Sequence, residues 1–494
     1  MYIADPEVAS KFITTGQSLP KSPLETDFVD KLLGDKNMVS AEGAHWKSLR
    51  SMFNPGFSAS HLMTLVPYIV DASMVFYDLI QQKAVTGELF QLEEFATRLT
   101  IDIIGKVVLD SDFDSQKGTH PIVDTFRKRI VLMPDASKIF PWEDVDFIRP
   151  FRLWANGKRL DGLIGQELDL KINARAEARN SKLNSRKERK KSVVDLALDS
   201  YEQEIAEKRD VEGFTATINA DVRRDIIDSM KTFIFAGHDT TASTISYIYY
   251  LLHFHPEVYR KLCKELDEVF GGSSTAADIA AAIKVDPHII NRLEYTNAII
   301  KETLRLFPPA STMRFMPAES DPTKVVYVTD PKTGRQLPVS GWTAWPASHL
   351  ISRNEEYFPS PAHFVPERFI PSQTPFPDSK LFTPAGKDAW RPFEKGPRHC
   401  IGQELAMIES RVIMALAMRD FDFVAEFDGE KCDTWTPIET VDEFRDGRPG
   451  VERRTIEGHR CYQILKGAAK PLDSMPGRVS RRRASFGSKD VKRE

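Results

Sequence analysis

Residues Asp221 to His255 contain no proline, keep apolar side chains at helical spacing and stop at Pro256. As one helix they extend about 50 Å at 1.5 Å per residue. A helix of that length with an apolar centre, Phe233 to Leu252, has to cross the middle of a molecule, and the rest of the chain must be arranged around it. Its centre is not uniformly apolar. Ala236-Gly237-His238-Asp239-Thr240-Thr241 puts a glycine and four polar side chains where they cost helix stability unless something uses them. The same residues argue against a membrane span, because charges inside one are costly and rare.

The chain has 494 residues, 41% of them hydrophobic, which is a globular and not a disordered composition. Length alone suggests about three domains of ~150 residues each. With 67 Lys+Arg against 71 Asp+Glu, the net charge is −4. That lacks the basic surplus of a nucleic-acid binder, so no nucleic-acid partner is expected. Four cysteines exclude a disulfide scaffold, and Cys263, Cys400, Cys432 and Cys461 form no C-x-x-C pair of the kind that holds structural zinc. The start, Met1-Tyr2-Ile3-Ala4-Asp5-Pro6, is no secretory signal, and no run of 18 uninterrupted apolar residues follows. An intracellular protein is expected.

Helical spacing recurs at Leu62 to Gln82, Glu93 to Leu109 and from Leu160 onward, where the pattern ends in a basic run reaching Lys191 that reads as a solvated helix end. Strands are expected late. A hairpin is predicted from Lys324–Thr329 and Leu337–Val339, and a second pair from Phe421–Phe427 with Tyr462–Leu465. Asp428 to His459 reads as a surface insertion, residues 359–384 as an ordered meander, and the residues from Gly477, with Arg481-Arg482-Arg483-Ala484-Ser485, as a disordered basic tail.

The sharpest pattern is Phe393-Glu-Lys-Gly396-Pro-Arg398-His-Cys400-Ile-Gly402. Its five fixed positions arise by chance roughly once in ten thousand chains of this size. A cysteine thiolate on haem iron pushes electron density onto it and favours O–O cleavage. Such a sulfur has to be shielded and tuned by nearby amides. Gly396 and Gly402 permit tight turns and close approach to a porphyrin, Phe393 can cover the sulfur, and Arg398 can meet a propionate. The run Gln403 to Asp420 is helical, so Cys400 sits near a helix N-terminus, which favours an anion. A lone cysteine is by default buried and inert, but that reading leaves the other four positions unexplained.

On these residues the chain resembles the cytochrome P-450 superfamily, the haem-thiolate monooxygenases. The resemblance implies that Cys400 ligates the iron of heme b and that Ala236 and Gly237 let the flat ligand lie against the long helix. It also implies that Asp239 and Thr240 relay protons to dioxygen. Trp46-Lys-Ser-Leu-Arg50 matches a family helix whose Trp and Arg share one face and reach a propionate. Arg314 matches a third propionate contact. Glu302-Thr-Leu-Arg305 occurs by chance about once per such chain, but with Arg305-Leu-Phe-Pro308-Pro309 and Pro366-Glu-Arg368-Phe it matches a buried charge triad. Asp5 to Thr14 resembles the family's B helix and Thr15 to Ser40 its B–C loop, so the resemblance leads to the expectation that this sequence lacks the family's N-terminal anchor, first helix and first two strands.

The resulting expectation is a mainly α fold with small β-sheets (α+β). One catalytic domain would cover residues 1–476, and the tail residues 477–494. The reaction would insert one oxygen atom from dioxygen into a hydrophobic small molecule, by hydroxylation or epoxidation. NADPH electrons would arrive through a separate NADPH-cytochrome reductase, since no G-x-G-x-x-G fingerprint opens a strand–helix unit. The pattern resembles fungal secondary-metabolite members, and the family's usual place is the cytosolic face of the endoplasmic reticulum. Two rivals are a haem-thiolate lyase or isomerase, disfavoured by the presence of Asp239 and Thr240, and a non-catalytic truncated remnant.

Overall fold

The computed structural model describes all residues except 14–18, 135–145, 181–189, 210–217, 320, 322, 324, 331–332, 428, 433–458 and 483–494. The predicted central helix runs from Ala220 to Phe254. The Asn219 side chain caps it by accepting the Val222 amide at 2.8 Å, and Pro256 ends it by starting the next helix. Four of its hydroxyls bond within the helix. Thr232, Thr240, Thr244 and Ser246 each donate to the carbonyl four residues back.

The helices Ala59–Thr86, Leu92–Ile104, Glu294–Leu306 and Gln403–Ile413 pack around this axis in one continuous apolar core. Gly237 marks a tight crossing, since a Cβ there would lie 2.6 Å from Cδ1 of Ile104. Ala59–Thr86 is long and apolar enough to cross a membrane by length and composition, and half of that stretch is buried against the protein. The helical run predicted to Leu109 is α-helical to Ile104 and continues as one π-turn from Gly105 to Leu109.

The β structure is small, and part of it departs from expectation. Tyr327–Thr329 and Gln336–Pro338 form the first predicted hairpin. Phe421–Phe427 does not pair with Tyr462–Leu465. It pairs antiparallel with Pro476–Arg481, with Phe423 opposite Val479. That register buries Phe421, Phe423, Ala425 and Phe427 on one face. Residues 477–481 are therefore a sheet strand and no part of a disordered tail. The segment Gln463–Lys466 turns at Gly467 (φ +84°) and pairs with Ala468–Pro471. At the ends of the insertion Cys432 and His459 are buried and not surface residues, while the basic run at 181–189 lies outside the described residues. The expected B–C loop contains a helix, Pro23–Leu33, opened by proline at its first position and closed by Gly34 at φ +99°. A three-stranded sheet joins Tyr2–Ile3, Thr343–Pro346 and Arg314–Phe315, which fixes Arg314 beside the site.

Candidate active site

The loop Phe393–Gly402 closes on itself through the Cys400 amide, which donates to the Phe393 carbonyl at 2.8 Å. Two residues in the left-handed region make the turn, Glu394 at φ +58° and Gly396 at φ +80°. Gly402 has an ordinary φ of −84°, and a Cβ there would lie 3.9 Å from the Cys400 sulfur. The backbone therefore demands glycine at 396 and not at 402. Cys400 lies deep in the protein yet opens onto a cavity, which explains a thiol both surrounded and accessible. Burial pushes its pKa up, opposed by the amides of Gly402 and Gln403 at the start of the helix Gln403–Ile413 and by the charge of Arg50.

That cavity is walled by Trp46, Arg50, Phe393 and Arg398 on one side and by Ala236, Gly237 and Thr240 of the central helix on the other. Its cations are crowded. Arg398 donates to the carbonyls of Ala41 at 2.7 Å and Val39 at 2.9 Å, and its guanidinium stacks 4.8 Å from the Trp46 ring. Burial, and then the charges of Arg314 and Arg50 against those of Glu42 and Glu25, bring its pKa down to about 10. Arg314 does not line the cavity. It is almost fully buried, donates to Leu19 O at 3.2 Å, and its Nε has no partner among the described residues. Arg50 turns toward His399, donating to its carbonyl at 2.9 Å. Lys21, which the sequence did not single out, also lines the cavity and pairs with Glu25 at 2.7 Å. Lys21, Arg50, Arg314 and Arg398 stand against the carboxylates of Glu25, Glu42 and Glu394, and burial lowers the pKa of each cation. An apolar slot with an accessible thiol at its floor and guanidinium donors at its rim fits a flat, dianionic iron ligand such as haem.

Thr240 faces the cavity while its hydroxyl donates to Ala236 O at 2.9 Å. Asp239 faces the other way. Its Oδ1 lies 2.9 Å from His238 Nε2 and 2.7 Å from Lys470 Nζ. Burial would raise the Asp239 pKa, but these two partners bring it down to about 2.

A family model described as cytochrome P450 matches residues 1–437. The chain belongs to the cytochrome P450 family. It is 36% identical over 490 residues to cytochrome P450 monooxygenase acrF of Aspergillus aculeatus, covering 96% of this chain and 90% of that one. It is 35% identical over 479 residues to cytochrome P450 monooxygenase polC of Polytolypa hystricis, covering 96% and 78%. Cytochrome P450 4V2 of Homo sapiens is 27% identical over 421 residues, covering 83% and 72%. This is a haem-thiolate monooxygenase of fungal type.

The P450 charge triad is assembled as expected. Glu302 receives Arg305 Nε at 2.7 Å and Arg368 Nε at 3.2 Å, all three side chains being buried. A further group was missed. Glu409, nine residues after Cys400, is buried, lines the cavity beside Thr241, and has its pKa pushed up by burial to about 8 against a hydrogen bond with Thr241. Its one sequence signal is a carboxyl on a helix face otherwise made of Leu405, Ile408 and Val412.

If Arg314 holds a propionate in this P450, its replacement by methionine removes a charge-assisted hydrogen bond of about 1.5–3 kcal/mol. Haem transfer to an apo-globin acceptor should then be about tenfold faster or more. An unchanged transfer rate would remove Arg314 from the propionate set.

Proposed function

We propose that this P450 inserts one oxygen atom of dioxygen into a C–H or C=C bond of a hydrophobic small molecule, with NADPH electrons delivered by a separate reductase. The observation that carries this reading is the single cavity that brings the Cys400 thiol, the rim cations and Thr240 together between apolar walls. Heme b, when bound, supplies dioxygen activation, and the protein supplies position and polarity. Cys400 would ligate the iron through its sulfur; Trp46, Arg50 and Arg398 would hold the propionates from the cavity wall, and Arg314 from behind it through its Nε, unpartnered among the described residues; Lys21 would add a further cation to that rim. Phe393 and Gly402 complete the cavity wall, and Gly396 shapes the thiol loop. Met38, Val39, Phe57, Ile104 and Phe233 leave an apolar surface for substrate. The family's site of action, the cytosolic face of the endoplasmic reticulum, is the location we assign.

In this reading Thr240 hands protons to dioxygen and Asp239 resupplies Thr240. A lyase or isomerase needs no such pair, so its presence favours the monooxygenase. Thr240→Ala should lower product formed per NADPH by about tenfold or more while peroxide release rises. Substrates for that measurement come from a panel of hydrophobic compounds screened by their shift of the haem spectrum. Unchanged coupling in the Thr240→Ala enzyme would refute the assignment.

A further inference from the structure

We propose that Lys470 gates the proton relay from behind the cavity: its ammonium locks the Asp239 carboxylate in place, and Asp239 serves Thr240 only when Lys470 shifts its weight onto a second acceptor, Glu93. The inference rests on the acid–alcohol reading of Asp239 and Thr240.

Three segments distant in sequence build the gate. Lys470 comes from the hairpin strand Ala468–Pro471, Asp239 and His238 from the central helix, and Glu93 from the helix Leu92–Ile104. Lys470 Nζ lies 2.7 Å from Asp239 Oδ1 and 3.1 Å from Glu93 Oε1. Glu93 is itself held, because Oε1 also accepts the Thr97 hydroxyl at 3.0 Å. Lys470 can therefore release one carboxylate without leaving its charge unpaired. Side-chain exposure falls from 15% at Lys470 to 5% at Glu93 and His238 and 1% at Asp239, so Lys470 is the member that meets solvent.

The other side of Asp239 is closed as well. His238 has both ring nitrogens against acceptors, Nδ1 at 2.5 Å from Ile234 O and Nε2 at 2.9 Å from Asp239 Oδ1. Gly467, the hairpin turn at φ +84°, packs so close to Oδ2 that a Cβ there would lie 3.3 Å away. One hairpin thus covers both oxygens of the relay acid. Clamped in this way, Asp239 is held as the carboxylate at neutral pH, its pKa brought down to about 2. A relay acid has to take up and release a proton in each cycle, so the clamp must open. The proton moves from solvent to Asp239 and on to Thr240, whose own hydroxyl proton goes forward into the cavity. Lys470 stays an ammonium throughout, and no electrons move in this step.

The test compares holoenzyme with Lys470→Met, Lys470→Arg, Glu93→Gln and Asp239→Asn. One readout is independent of turnover: the infrared carboxyl band of Asp239, identified by its absence in Asp239→Asn and followed with pH. The second is the H2O/D2O isotope effect on NADPH consumption, with reductase and dioxygen as the only co-reactants. Lys470→Met should raise the Asp239 titration midpoint by a unit or more and reduce the isotope effect. Lys470→Arg should restore the low midpoint, a rescue that a merely structural role does not predict. Glu93→Gln leaves Lys470 only Asp239 and should shift the isotope effect upward, the opposite of Lys470→Met. The gate is overturned if Lys470→Met titrates like wild type, or if Glu93→Gln and Lys470→Met shift the isotope effect in the same direction. An unimpaired Asp239→Asn enzyme would overturn the relay itself, whereas an impaired one beside an inert Lys470→Met overturns the gate alone.

Discussion

Replacing Cys400 by serine should abolish the red-shifted thiolate Soret band of the reduced carbon monoxide complex and bring oxidation to background. The hydroxyl has neither the charge nor the softness to push electron density onto iron. The scaffold should survive. The hydrogen bond that closes the loop is made by the residue 400 backbone amide, and the turn is made by Glu394 and Gly396, none of which changes. The rim arginines and lysine are likewise untouched, so haem should still be taken up, with a shifted spectrum and not an empty pocket. That separates loss of the ligand from loss of the site. Serine at Cys263, Cys432 or Cys461 should leave the band intact, because none of these lines the cavity. A Cys400→Ser protein that kept the thiolate band would remove Cys400 as the ligand and with it the reaction proposed here.

What could be read from the sequence was local in the chain. The central helix lies within one residue of its expected ends because an Asn-capped start and a proline stop are encoded beside the helix itself. The thiol loop was legible for the same reason: ten consecutive residues carry the turn, the sulfur and an arginine. The strand Phe421–Phe427 was recognisable from alternation, but its partner was not. Alternation tells which face is buried and says nothing of which distant strand pairs, and Gly477–Arg481 reads as tail because of its charge and few apolar residues. The helix Pro23–Leu33 was hidden by its proline, which reads as a loop signal unless it is recognised at a helix's first turn.

The charged groups around the site divide in the same way. Arg398 and Arg50 sit inside recognisable motifs. Lys21, Lys470, Glu93 and Glu409 have no pattern of their own; each matters because folding brings it from another segment against a buried partner. The orientation of Asp239 was equally out of reach. The motif placed it next to Thr240 in sequence, but adjacent residues on a helix point about 100° apart. Thr240 therefore faces the cavity while Asp239 faces the hairpin.

Substituting Glu302 by glutamine should cost about 3–5 kcal/mol of stability at neutral pH, because it leaves two buried guanidiniums with no countercharge. Arg305 would keep its bonds to the carbonyls of Ser352, Pro361 and His363, and Arg368 those to Pro359 and Ser360. These dipoles satisfy hydrogens but do not neutralise two charges held at 0–1% exposure. The acceptor for the Val365 amide, 2.9 Å from Glu302 Oε1, would also become a neutral amide oxygen, loosening the meander that leads toward the thiol loop. Haem content after expression should fall with stability. The pH dependence separates this charge effect from simple misfit. Burial alone would raise the Glu302 pKa, but Arg305 and Arg368 outweigh it and hold it below the ordinary carboxylate value. Its contribution is therefore complete above an unfolded-state pKa of about 4.3 and is lost as pH falls through the lower folded-state value. The stability gap between wild type and Glu302→Gln in urea titrations should be constant from pH 8 to about pH 5 and should narrow below pH 4. A gap that stays open in acid would mean that shape at residue 302, and not its charge, holds the meander.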